Sequence, residues 1–111
     1  MERIEGVYGI YYVDMDGEVY NRHGRKLRGR DNGYGYLQVR LPIARNVYRN
    51  FKVHDLVMRA YVGEKPRDCD VDHINFDRDD NRLINLRYLS IHINRGRKRY
   101  LVGKAECATI G

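Results

Sequence analysis

A chain of 111 residues has room for one domain with one core. Its 42% hydrophobic and 32% charged residues describe a folded globular protein, and no apolar run approaches the roughly 18 to 20 residues of a membrane span, so no membrane partner is expected. The opening stretch Met1–Gly6 lacks a basic segment followed by an apolar one, which predicts a cytoplasmic location. Two cysteines, Cys69 and Cys107, exclude a four-cysteine zinc site and are expected as free thiols in that reducing compartment.

The net charge of +6 is unevenly spread. Residues 1–20 carry one basic and five acidic side chains, whereas residues 21–60 carry ten basic and two acidic, a local excess of +8. Residues 95–111 add five basic against one acidic. Arginine dominates the basic window, with tyrosines interleaved. That combination suits a phosphate backbone, because the cations displace condensed counterions and the aromatic rings pack on sugars or bases. The bland alternative is a merely solvated surface.

In chain order, residues 8–13 and 18–21 flank Asp14-Met15-Asp16-Gly17, a turn with glycine last, and predict a β-hairpin. Residues 22–33 form a basic, glycine-rich connector. In residues 36–41, Leu37, Val39 and Leu41 alternate with Gln38 and Arg40, the period of a half-buried strand. Pro42 and Asn46 are expected to bound a turn, and residues 47–53 return. This second hairpin should carry Gln38, Arg40, Asn50 and Lys52 on one polar face, a ribbon of the kind that enters a major groove. Val53, Leu56, Val57, Ala60 and Tyr61 follow helical spacing, ended by Gly63 and Pro66. Residues 68–80 hold six aspartates, read mostly as an acidic solvated loop. A short strand near Leu83, Leu86, Tyr88 and Leu89 precedes a last helix from Ile91 to Arg99, with Ser90 as its cap.

Chemistry concentrates in Val71-Asp72-His73-Ile74, then Asn81, Asn85-Leu86 and Asn94. A histidine can take a proton from water near neutral pH. An aspartate with an amide oxygen can hold one hard divalent cation and leave positions for phosphate and water. His54 and His23 are read as structural and as part of the basic loop, respectively.

The run from Val53-His54 through Asp72-His73 to Asn81, Asn85-Leu86-Arg87 and Asn94 resembles the HNH endonucleases of the ββα-metal type, in particular the phage and intron-encoded homing enzymes, in an H-N-N variant. The resemblance implies His73 as general base. It implies Asp72 and Asn94 as ligands of one Mg²⁺ or Mn²⁺ ion per site, with no zinc. Asn85, grouped with His73 as catalytic, is the middle asparagine that orders the loop. His54 and Asn81 are supports, Asn81 through side-chain-to-backbone bonds, while His92 is a competing candidate for the last ligand. Asp80 stands where the family commonly has asparagine, and is expected at the loop surface.

The expectation is therefore one α+β domain. Antiparallel hairpins form a basic DNA-binding region over residues 1–52, a helix and ββα-metal motif follow over residues 53–99, and residues 100–111 form a tail. The partner is double-stranded DNA, held by Arg22, Arg25, Lys26, Arg28, Arg30, Gln38, Arg40, Arg49, Asn50 and Lys52, and by Arg97, Lys98 and Arg99 on the last helix. One active site per chain would nick DNA, and a homodimer would cut both strands. The rival reading is a non-catalytic DNA-binding module on the same fold.

Overall fold

A computed structural model of the protein describes residues 1–91. One helix, α1 (Val53–Tyr61), touches strands from three antiparallel sheets. The first sheet runs β1 (Glu2–Arg3), β2 (Tyr11–Val13), β3 (Val19–Asn21) and β4 (Lys26–Leu27) in sequence order. The second runs β5 (Arg30–Asp31), β6 (Leu37–Ala44) and β7 (Val47–Lys52), and the third pairs β8 (Cys69–His73) with β9 (Leu86–Ser90). No helix among the described residues is long and apolar enough to cross a membrane.

The first hairpin forms where the aspartate-to-glycine turn predicts it. Asp14 Oδ1 accepts from the backbone N–H of Asp16 and of Glu18, both at 2.9 Å, and Oδ2 accepts from the Tyr20 hydroxyl at 2.8 Å. These bonds hold the Asp14 carboxyl below the ordinary carboxylate range against the opposing effect of burial. Gly17 supplies the positive φ of 83° that closes the turn.

Pro42 departs from the expectation. It lies inside β6 opposite Tyr48, and the turn is made further on at Arg45–Asn46, where Asn46 takes a φ of 61°. A register shift between Pro42 and Ala44 loosens the ladder where proline offers no N–H, and the Pro42 carbonyl instead accepts from Tyr8 N at 2.8 Å.

Helix α1 buries Val53, His54, Leu56, Val57 and Met58, while Ala60 and Tyr61 stay part-exposed. The buried arc is wider than the predicted stripe because sheets cover the helix on more than one side. Around it close Ile4, Val13, Val19, Val39, Leu41, Leu86 and Tyr88. At the C-terminal end Gly63, at φ 128°, donates its N–H to the Met58 carbonyl and stops the helix. Cys69 is buried in β8, and Cys107 lies outside the described residues. The predicted last helix beyond Ile91 and the tail lie outside the described residues.

Candidate active site

The β8–β9 ribbon sets the site. Its register places His73 opposite Leu86 and Asp72 opposite Arg87. Between the strands runs the loop of residues 74–85, ending in a single 3-10 turn at Leu83–Asn85, where sequence reading had begun the strand at Leu83. Asn85 closes this loop. Its Oδ1 accepts from Asn75 N at 2.9 Å, its Nδ2 donates to the Asp80 carbonyl and to Asn75 Oδ1, and its own carbonyl accepts from Ile74 N at 2.8 Å. With both side-chain atoms spent on the loop, Asn85 positions the strand end that carries His73.

Asp80 is a second fastener. Its carboxylate takes both Nε and Nη2 of Arg82 at 2.8 Å and Nδ2 of Asn75 at 2.8 Å. Its side chain is only 12% exposed, so the expected surface position is not what the fold provides. The Arg82 guanidinium, foremost, holds this carboxyl well below the usual carboxylate range. Asp77 accepts from Asp79 N at 3.0 Å, a local turn bond.

His73 is buried, at 4% exposure, and its Nε2 lies 2.9 Å from Asn81 Oδ1. An amide oxygen only accepts, so the bond selects the tautomer protonated on Nε2 and puts the ring's lone pair on Nδ1. Asn81 thus acts through its side chain on His73, not through the side-chain-to-backbone bond expected of it. Its Nδ2 is buried without a hydrogen-bond partner among the described residues. Burial, foremost, pushes the His73 imidazole below its ordinary pKa, and the nearby His54 adds to this, while Asn81 and Asp72 oppose it. The neutral, proton-accepting form is therefore favoured at pH 7.

His54, from α1, is also buried, and its ring meets His73 edge-on with centroids 5.2 Å apart. Its Nε2 stands 3.4 Å from Asp55 Oδ1. Tyr36, just before β6, closes the other side, 5.4 Å from the His54 ring and 6.0 Å from the His73 ring.

Asp72 is 2% exposed, and its Oδ2 accepts from Arg87 Nε at 3.1 Å. Among the described residues the hard oxygen donor at this strand end is the Asp72 carboxylate, the donor type that magnesium-like cations take. No cluster of three or more His, Cys, Asp or Glu side chains with metal-binding geometry occurs among the described residues. Asn94 and the competing candidate His92 lie outside them.

The family model for HNH endonucleases matches residues 51–95, the stretch that holds α1, the Asp72-His73 strand end and the Asn85 loop closure. A solved structure described as "DNA binding and cleavage by the HNH homing endonuclease I-HmuI" superposes with a TM-score of 0.73 at 32% sequence identity. Residues 51–95 are thus similar to the HNH endonuclease family. The structural match covers 85% of this chain and 55% of the I-HmuI chain, so the protein spans little more than half of that relative. No curated protein sequence matches.

Ahead of these residues lies the basic ribbon. Cross-strand pairs Arg30–Gln38, Gln38–Lys52 and Arg40–Asn50 put these five side chains on one face of the second sheet. Tyr48 joins them, with the Arg40 guanidinium 4.8 Å from its ring centroid. Arg28 and Arg49 border the same cleft, although Arg49 pairs with buried Leu41 and so springs from the opposite face. Arg22 stands apart, in a separate cleft with His23, Tyr8, Tyr11 and Arg45. Lys26 is engaged by Glu18 at 3.5 Å, and Arg25 is exposed next to it. Arg97, Lys98 and Arg99 lie outside the described residues.

Sequence reading assigned no role to Tyr36, Arg78 or Arg87. For Arg87 a signal existed, since pairing outward from a loop closed at His73 and Leu86 sets it opposite Asp72. For Tyr36 and Arg78 no local pattern reports a contact made across 18 to 44 residues.

Proposed function

We propose that the protein is a divalent-metal-dependent DNA endonuclease that hydrolyses phosphodiester bonds, with His73 as general base. The observation that carries this reading is the Asp72-His73 pair, buried at one strand end, with His73 oriented and kept neutral by its surroundings. In the proposed reaction the Nδ1 lone pair of His73 takes a proton from water as the water oxygen attacks phosphorus and the bond to the 3′ oxygen breaks. Asn81 holds the imidazole by Nε2, and Asn85 and Asp80 keep the loop from shifting it. Asp72 and Asn94 would hold one Mg²⁺ or Mn²⁺ ion. Bound there, the cation supplies charge neutralisation at the phosphate and at the departing oxygen. The face built by Arg30, Gln38, Arg40, Asn50 and Lys52 lies along duplex DNA, with phosphate contacts setting position and Gln38 and Asn50 reaching base edges.

Supercoiled plasmid incubated with Mg²⁺, Mn²⁺ or EDTA, beside His73→Ala, tests the reading. Open-circle or linear product that requires both metal and His73 is the expected result. DNA binding without metal-dependent cleavage on any substrate would favour the non-catalytic module, and full activity in His73→Ala would overturn the mechanism.

A further inference from the structure

Two cations, one from the end of the basic ribbon and one from the acidic loop, are gathered around one tyrosine ring beside the site. Lys52 Nζ lies 5.2 Å from the Tyr36 ring centroid, and the Arg78 guanidinium lies 4.6 Å from the same point. That ring in turn borders His73 and His54. Arg78 is anchored there rather than swinging in solvent. Its Nη1 donates to the Tyr34 carbonyl, 2.6 Å away, and its aliphatic stem covers Gly35, where a Cβ would meet it at 3.4 Å.

The direction Arg78 takes is informative. It belongs to the acidic loop, flanked by Asp77 and Asp79 with Asp80 close in sequence, yet it crosses to the segment before β6. Among the described residues neither Arg78 nor Lys52 makes an ion pair, while Arg82 in the same loop is fully engaged by Asp80. Two cations around one ring, neither held in an ion pair, repel each other, and an anion placed beside them reduces that cost. Arginine and lysine together suit a phosphate oxygen pair, the guanidinium through its fork and the ammonium as a point charge.

We propose that Lys52 and Arg78, seated on Tyr36, form a phosphodiester seat beside His73, which holds the phosphate that is cleaved rather than a flanking one. This rests on the endonuclease reading and adds to it a substrate-binding pair that joins the ribbon (Lys52) to the catalytic loop (Arg78). Arg30 and Arg40, by contrast, lie along the ribbon face and govern affinity.

The test separates the seat from the reading. The full chain is titrated with the dinucleotide thymidylyl-thymidine in EDTA, and the histidine ring-proton resonances are followed by NMR, assigned with His54→Ala and His73→Ala. Saturable shifts at His54 and His73, with His23 unmoved, are expected. They are lost in Arg78→Ala, lost in Arg78→Gln (which keeps most of the stem and guards against loss of packing), and retained in Arg67→Ala, which removes an exposed positive charge outside both the ribbon face and the loop. Shifts that persist in a folded Arg78→Gln protein, or no shift in the wild type, overturn the seat. On plasmid, Arg78→Gln should lower kcat by roughly 10²-fold, with Kd for duplex DNA altered less than about 3-fold. A loss confined to Kd also overturns the seat and leaves the endonuclease reading standing. That reading falls only with the metal and His73 dependence.

Discussion

Gly17 lies so close to Asn81 that a Cβ at this glycine would stand 2.8 Å from the Asn81 carbonyl oxygen and 2.9 Å from the Asn81 Cβ. Beside it, Leu83 N donates to the Met15 carbonyl at 2.8 Å. The turn of the first hairpin therefore braces the loop that carries Asn81, and Asn81 in turn holds His73. Gly17→Ala meets both a backbone clash and a φ of 83° that an L side chain disfavours. The expected cost is about 1–3 kcal/mol, read as a drop in the midpoint of thermal unfolding, together with a loss of cleavage larger than the loss of DNA binding. An unchanged midpoint would show that the hairpin and loop are not held together.

The Asp72–Arg87 contact joins a carboxylate with 1% side-chain exposure to a guanidinium with 21%. Removing one partner of a pair buried this deeply leaves charge in a poor dielectric, and Arg87→Ala should destabilise the fold by roughly 2–4 kcal/mol, discounted for the partial exposure of the arginine. Arg87→Lys should recover only part of this, because lysine lacks the planar donor geometry. Urea unfolding at pH 7 checks both, and equal stability of Arg87→Ala and wild type would mean that Asp72 does not depend on this contact.

Asp80 gives the loop a pH dependence of known sign. Its folded-state pKa is depressed, chiefly by Arg82, so its contribution to stability is fully present above the ordinary carboxylate value near 4 and is lost as pH falls further toward the folded value. Asp80→Asn lacks this term. The gap in unfolding midpoint between wild type and Asp80→Asn should therefore be widest at pH 6–7 and close progressively below about pH 4. A gap independent of pH would mean that the carboxylate charge is not what fastens the loop.

Features local in sequence were legible in it. The first hairpin follows from Asp14 and Gly17 three positions apart, β6 from the alternation of Leu37, Val39 and Leu41, and α1 from its helical spacing. Gln38, Arg40, Asn50 and Lys52 share a face because period two and a single turn suffice to place them. What escaped depends on long-range packing. Pro42 stays within a strand because a bulge and the Tyr8 N–H accommodate it, and neither is visible in the local composition. Met58 is buried because strands of three sheets pack around α1. Asp72-His73 stood out through family pattern, but that Asn81 would hold His73 by its side chain depends on how residues 74–85 fold back. Tyr36 reaches His54 and His73 because the segment before β6 docks against both α1 and the loop of residues 74–85.

His73 sets the last expectation. Burial lowers its pKa from the ordinary 6.5, with His54 adding to the effect, so the imidazole stays neutral to a lower pH than a solvated histidine would. A general base must be unprotonated to work, hence kcat/KM should rise through an apparent pKa below 6.5 and then level off toward neutral pH. His54→Ala removes one contributor to the depression, although its loss also opens space beside the ring. The acidic limb in that variant should move toward higher pH, and a smaller shift in the same direction is expected from Tyr36→Leu, which admits water to His73. Asn81→Ala acts oppositely in part, since its carbonyl favours the protonated ring, and its main effect should be a fall in kcat from a ring no longer oriented. Initial rates of plasmid cleavage between pH 5 and 8, at fixed metal concentration and constant ionic strength, decide it. An acidic limb above 6.5 in the wild type would mean that burial does not govern the ionisation of this base.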